Sequence, residues 1–296
     1  MPSHDALNRA PIYFRTGYYL PMANFLDGFD RDIRTALIAQ LRNLWTHTST
    51  ALEGNTLTLD ETAFVIDEGL TVSGKSLKDH HEVIGHARAI DIVYSLIRRD
   101  SPITEQDVFD LHTAIQTELV TDILQPIGRW KQEPNGTYAV DVRGAQVFID
   151  YAAPRDVPEL MHAWLGLLND QLRAATTVDS ALTAYVELHV SFVRIHPFFD
   201  GNGRMARLLA NLPVLRSGSP PITIPKEKRR EYIGLLAAYE LATGTVTINT
   251  PLLPQPELLT SFRMFCAQAW QASTELVEQA QREQKKRVRP AGEEAP

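Results

Sequence analysis

Residues 196–207 read His-Pro-Phe-Phe-Asp-Gly-Asn-Gly-Arg-Met-Ala-Arg, and this dozen restricts the fold more than any other stretch. Pro197 has no N–H and disfavours helical backbone in the residue before it. The helix predicted over Ala181–Ile195, with Ala184, Leu188, Phe192 and Ile195 on one face, therefore ends here. A second helix is predicted from Arg204, carrying Met205, Leu208, Leu209 and Leu212, with a kink at Pro213 and a stop at Gly218. Gly201-Asn202-Gly203 thus leads straight into a helix N-terminus. Glycines admit positive φ, successive N–H groups can converge on one anion, and the helix dipole adds partial positive charge there. Arg204 and Arg207, three residues apart in the first turn, can offer bidentate donors to phosphate oxygens. Asp200 is a hard oxygen ligand suited to a Mg²⁺ ion that already carries phosphates. His196 titrates near working pH and can take a proton from an attacking hydroxyl. A Gly-rich turn with a capping Asp and two surface arginines would explain any one of these residues, but not the set.

The segment resembles the signature of the Fic family (Fic/Doc superfamily), H-x-F-x-[D/E]-G-N-G-R-x-x-R, without a mismatch. The resemblance implies a mainly α-helical bundle of Fic type with a small β-hairpin flap, and transfer of AMP from ATP to a Ser, Thr or Tyr hydroxyl of a target protein, the chain itself included. It implies His196 as general base, Phe198 as a core anchor and Asp200 as the Mg²⁺ ligand. Gly201, Asn202 and Gly203 become the anion loop, Arg204 the holder of the phosphate chain and Arg207 that of the γ-phosphate. The intact Gly201-Asn202-Gly203-Arg204 run favours AMP over other transferred groups.

Ser49-Thr50-Ala51-Leu52-Glu53-Gly54-Asn55 is similar to the family's inhibitory motif, [S/T]-x-x-x-E-[G/N], in the class where it precedes the catalytic loop. That similarity implies that Ser49, Glu53 and Gly54 belong to a lock in which Glu53 pairs with Arg207. A carboxylate and a phosphate then compete for one guanidinium. An acid at a helix C-terminus is mildly unfavourable and wants a cationic partner. Removal of AMP from modified protein, transfer of another nucleotidyl or phosphoryl group, and a non-catalytic nucleotide-sensing module remain as alternatives; the intact His196 and Asp200 argue against the last.

Other features bound the reading. With 296 residues, 44% hydrophobic and 22% charged, the chain has ample core for a globular fold. A net charge of −7 argues against nucleic-acid or anionic-membrane partners. Cys266 is the only cysteine, which suits a cytoplasmic protein. There is no secretory pattern at the N-terminus and no apolar run near 18 residues. We expect an N-terminal helical region over 1–100, a catalytic core over 101–250 and a C-terminal helix and tail over 251–296; assembly as a homodimer is left open.

Helices are expected over 29–53, 59–68 (capped by Asp60), 77–99, 104–120, 157–172, 226–243 and 257–284, with residues 1–28 irregular and the tail from Lys285 frayed. A hairpin turning at Arg143–Gln146 is expected around Tyr138–Val142 and Val147–Tyr151, with an extra strand at Arg129–Gln132. Tyr232 reads equally as a ring for adenine or as a core aromatic. Gly69–Ser76 fits the P-loop pattern G-x-x-x-x-G-K-[ST] but lacks a preceding strand and a later acidic partner, so a plain loop is expected. His81 and His86 are spaced i, i+5 and fall on different helix faces, which disfavours zinc. His112, His162 and His189 read as packing or surface residues.

Overall fold

The computed structural model describes residues 24–116, 126–140 and 143–288. Helix α1 (Arg31–Ala51) buries Ile33, Leu37, Ile38, Leu41 and Trp45 along one stripe. Helix α2 (Leu59–Glu68) follows, capped by Thr58 rather than Asp60: the Thr58 hydroxyl accepts from the Glu61 N–H and the Glu61 carboxylate accepts from the Thr58 N–H. Helix α3 (Leu77–Leu96) is capped by Ser76. Helix α4 (Glu105–Ile115) has a Thr104–Asp107 capping box and stops where Gln116 turns extended, short of the expected Val120; residues 117–125 lie outside the described residues.

Strands β1 (Gly136–Val140) and β2 (Gln146–Asp150) pair antiparallel, with Tyr138 opposite Phe148. Ala139 and Ile149 turn inward, while Tyr138, Val140 and Phe148 are exposed. The expected extra strand at 129–132 is absent. The Lys131 N–H is committed instead to the Pro197 carbonyl, at 2.8 Å, so that stretch cannot join a ladder there.

Helix α5 (Val157–Ala174) carries Pro158 in its first turn, where no N–H is needed. Helix α6 (Val178–Ile195) starts earlier than expected because Thr177 and Ser180 form a capping box. It runs through the centre of the core, with Ala181, Ala184, Tyr185, Leu188, Phe192 and Ile195 fully buried. Helix α7 (Asn202–Leu209) follows the loop after α6, and helix α8 (Asn211–Arg216) follows at once. The break at Ala210 has a plain cause: Pro213 has no N–H to give the Leu209 carbonyl.

Helix α9 (Arg229–Thr243) is preceded by a short 3₁₀ turn. The single last helix expected over 257–284 is a 3₁₀ turn followed by helices α10 (Thr260–Ala269) and α11 (Gln271–Val288). They separate at Trp270, whose indole N–H donates to the Pro220 carbonyl at 2.7 Å. Of the tail expected to fray from Lys285, residues 285–288 are the last turn of α11, and residues 289–296 lie outside the described residues. Arg287 binds Asp32 in a bidentate pair, at 2.8 and 2.6 Å, and reaches Asp30 at 3.2 Å. Val277 and Ala280 pack with Leu26, Ile33, Leu37, Ile38 and Leu41, so α11 braces the first half of α1. Among the described residues, no helix is long and apolar enough to cross a membrane.

Gly69–Ser76 is a loop between α2 and α3, preceded by a helix and not a strand. Lys75 donates to the Thr56 carbonyl at 2.6 Å and lies 3.3 Å from the Glu61 carboxylate. It is a tether, so Lys75→Ala should cost at most about 1 kcal/mol of stability and leave ATP affinity within about twofold by calorimetry. A loss of ATP binding as large as that of Arg207→Ala would restore the P-loop reading.

Candidate functional site

The loop of residues 196–203 is assembled by satisfying its own backbone. α6 ends at His196, which takes left-handed φ of 50°. Phe198 drops into the core, stacked on His112 with ring centroids 3.8 Å apart and packed against Trp130 at 5.1 Å. Asn202 closes the loop: its side-chain oxygen accepts from the Phe198 N–H at 3.0 Å and its amide donates to the Phe198 carbonyl at 2.8 Å. Its side chain is therefore spent on shaping the loop. Gly201 sits at φ of 80°, and a Cβ there would come within 2.9 Å of the Gln116 amide nitrogen.

The His196 ring is held on two sides. It stacks on Tyr151, centroids 3.7 Å apart and planes 2° from parallel. Nδ1 lies 3.2 Å from the Val193 carbonyl. A carbonyl only accepts, so Nδ1 carries the proton and Nε2 keeps a lone pair. Burial, with the Lys131 ammonium as second cause, holds the imidazole well below its ordinary pKa and hence neutral.

Asp200 is open to solvent at 68% of its side chain. Burial of its flank would raise its pKa, but Arg204, the Gly201 N–H and Gln116 outweigh that and keep the carboxyl ionised. Arg204 donates to Asp200 at 3.1 Å and to the Ile115 carbonyl at 3.3 Å, and its Nε is buried without a protein partner. It lies behind Asp200 and is not among the residues lining the groove.

Arg207 is enclosed. Its Nε donates to the Ser49 hydroxyl at 3.0 Å, and its Nη2 to the Ser49 carbonyl at 2.9 Å and to Glu53 Oε1 at 2.6 Å. Nη1 reaches the Tyr232 hydroxyl at 3.4 Å. That hydroxyl lies 2.8 Å from His189 Nε2. Tyr232 is 5% exposed and packs with Phe262 and Phe265. This packing fits the core-aromatic reading, although the ring also borders the groove. Gly203 makes room for the Glu53–Arg207 pair, since a Cβ there would lie 2.6 Å from Glu53 Oε1. Gly54, at φ of 101°, ends the α1 turn that presents Glu53. Arg229 donates to the Leu52 carbonyl at 2.7 Å and holds the same turn from α9.

These groups open onto one groove of about 1040 Å³, walled by the hairpin on one side and α9 on the other. His196, Asp200, Gly201, Asn202, Gly203, Arg207, Tyr232 and Glu53 all line it; Ser49 and Arg204 do not. Among the described residues there is no group of three His, Cys, Asp or Glu side chains that could hold a metal. A cation at Asp200 would take its other ligands from phosphates and water, the usual way Mg²⁺ is held.

Residues 102–214 match the family model described as the Fic/DOC family. The chain carries a Fic domain. It is 34% identical over 209 residues to protein adenylyltransferase fic-1 of Caenorhabditis elegans, covering 68% of this chain and 38% of that one. It is 34% identical to protein adenylyltransferase Fic of Nematostella vectensis over 62% of this chain and 40% of that one. The chain thus spans about two fifths of the length of these relatives. Among solved structures, a Fic domain containing signaling protein from Bacteroides thetaiotaomicron superposes with a TM-score of 0.71 at 25% identity, covering 86% of this chain and 92% of that one. Fic-1 of C. elegans superposes with a TM-score of 0.64 at 25% identity, over 89% and 69%.

Sequence reasoning missed His112. The Gly128 N–H donates to its Nδ1 at 2.9 Å, so Nε2 carries the proton and donates to the Asp200 carbonyl at 3.1 Å. A lone histidine at helical spacing gives no sign of such a role. Burial pushes its pKa down to about 4 in the Fic domain. The unfolded chain, with an imidazole pKa near 6.5, takes up a proton that the folded chain refuses. Stability is full above about pH 6.5 and falls as pH drops through that value toward 4, by up to about 3 kcal/mol from this residue. Urea titrations across that window should show this loss. His112→Gln should be less stable at neutral pH yet show a shallower decline, though buried His86 and His189 keep part of it. An unchanged slope would refute the assignment.

Proposed function

We propose that this chain transfers AMP from ATP to a Ser, Thr or Tyr hydroxyl of a target protein, and that Glu53 inhibits it. The observation that carries the reading is a convergence on one groove: the free Nε2 of His196, the ionised Asp200 and the anion loop all face it. The names of the relatives support the same reaction. His196 Nε2 takes the proton of the target hydroxyl as its oxygen bonds to the α-phosphorus. The bond from the α-phosphorus to the bridging oxygen breaks, and pyrophosphate leaves. The N–H groups at the start of α7 face the phosphates and stabilise charge that develops there. Asp200 would hold Mg²⁺, which supplies positive charge to the phosphates. Tyr138, Val140 and Phe148, exposed on the hairpin, offer an apolar rim on which a target segment can lie beside His196. A cytoplasmic setting fits the single cysteine, Cys266, which is buried and free.

In this arrangement Glu53 occupies the donors on Arg207 that a γ-phosphate would use. Each 1.4 kcal/mol of competition removed is worth about tenfold, and one or two charge-assisted bonds correspond to about one to three decades. With α-labelled ATP, wild-type protein should be weakly active and Glu53→Gly more active by that range. The same change can lower the melting temperature, since it strips a buried guanidinium of its counter-charge. Equal or lower activity at matched folded concentration would show that Glu53 is not the lock.

In the Glu53→Gly background, His196→Ala should keep ATP binding and lose transfer by at least about a hundredfold. Retained transfer would remove His196 as the base. EDTA or Asp200→Ala should silence the same background, and full activity in EDTA would overturn the metal assignment.

A further inference from the structure

The segment between α4 and the hairpin carries a buried lysine, its pKa pushed down to about 7 by burial, that the reaction outlined above does not use. Lys131 is 2% exposed. Its ammonium donates to the Asn135 side-chain oxygen at 2.6 Å and to the Ile195 carbonyl at 3.5 Å. Its backbone N–H donates to the Pro197 carbonyl at 2.8 Å. Asn135 donates its amide to the Phe198 carbonyl at 3.0 Å. Three carbonyls around His196, those of residues 195, 197 and 198, are therefore held by two side chains and one N–H from this short stretch. The Asn135 carbonyl in turn accepts from the Tyr151 N–H at 3.2 Å, and Tyr151 is the ring stacked on His196.

A non-glycine residue at positive φ is strained and persists only where its surroundings over-determine it. The buried carbonyls beside it also need donors. Lys131 and Asn135 meet both requirements at once. They also join the root of the hairpin to the loop, so that the wall lining the target side of the groove and the base are one mechanical piece.

We propose that Lys131 and Asn135 form a clasp that holds His196 in its left-handed conformation with Nε2 toward the groove. Lys131 is thus a positioning residue for the base. This rests on His196 acting as the base in the proposed transfer. Lys131 touches neither the nucleotide loop nor Arg207, so its loss should fall on turnover and not on ATP binding.

The test uses the full chain with Glu53→Gly, into which Lys131→Met, Lys131→Arg and Asn135→Ala are introduced. Lys131→Met should lower kcat for transfer by about 10- to 100-fold, with the Kd and KM for ATP within about threefold. Asn135→Ala should do the same more mildly. Lys131→Arg, which keeps donors near the Ile195 carbonyl and Asn135, should recover a large part of the activity. Unchanged kcat in Lys131→Met, or a loss that appears equally in ATP affinity, would overturn the clasp. If the Glu53→Gly parent transfers no AMP, the functional reading fails by itself. The clasp is then decided by NMR of ¹⁵N-histidine-labelled protein, with His196 assigned by mutation. The parent should show a single Nδ1–H tautomer, and Lys131→Met and Asn135→Ala a mixture. Should Lys131→Met fail to fold, Asn135→Ala carries both readouts. A His196 spectrum identical in parent and folded variants would overturn the proposal.

Discussion

The guanidinium of Arg207 organises the molecule around it. It is 3% exposed, and a buried cation is tolerable only when its donors are matched. Ser49 supplies two of the acceptors, Glu53 the counter-charge and the Tyr232 hydroxyl a further oxygen. Those partners come from the C-terminal end of α1 and from α9, so one side chain of α7 ties two distant parts of the chain to its own helix. It accounts for the inward-facing Tyr232 hydroxyl, and it makes a Cβ at Gly203 costly, since Glu53 would have to shift away from Arg207. It also makes the site a natural place for competition. An anion that displaces Glu53 must give Arg207 equally good acceptors, which phosphate oxygens do.

The loop between α6 and α7 shows a second economy. Almost every polar group in it is used to hold its shape, leaving few to face the groove. Asn202 is bonded to Phe198, His112 to the Asp200 carbonyl, and Arg204 to Asp200 and Ile115. What remains outward is the set with chemistry to perform: the lone pair on His196, a carboxylate oxygen of Asp200 and the N–H groups at the start of α7. Fixing the rest beforehand is what preorganisation means physically, because groups that are already oriented need not reorganise as charge develops. α11 extends the logic to α1, since its Arg287 pair with Asp32 and its apolar contacts brace the helix that leads into the turn carrying Glu53.

Much of this was legible in the chain because it is local. Helical spacing gave α1, α3, α5, α6 and α9 to within a few residues, and the Gly201-Asn202-Gly203 run gave the turn into α7. Misses occurred where a distant contact overruled a local pattern. Arg129–Gln132 reads as a strand, but the Lys131 N–H goes to Pro197, sixty-six positions away in sequence. The last helix reads as continuous, but Trp270 turns to bond Pro220. The charged tail reads as frayed, but Arg287 finds two aspartates at the other end of the chain.

The site divides the same way. Residue identity by itself determined which groups are on offer: an imidazole, a hard carboxylate, a glycine-rich run before a helix, two arginines and an acid at the end of a helix. Each is a chemical property of a side chain and survives without coordinates. Tertiary structure alone decided which arginine faces the groove. Arg207 does, against Glu53, while Arg204 lies behind Asp200. It alone decided that Tyr232 is a partner of Arg207, that His112 supports the loop, and that Lys131 and Asn135 flank His196. Those roles depend on carbonyls and rings contributed from far along the chain. A hydrogen bond between residues dozens of positions apart leaves no period in the sequence from which to read it.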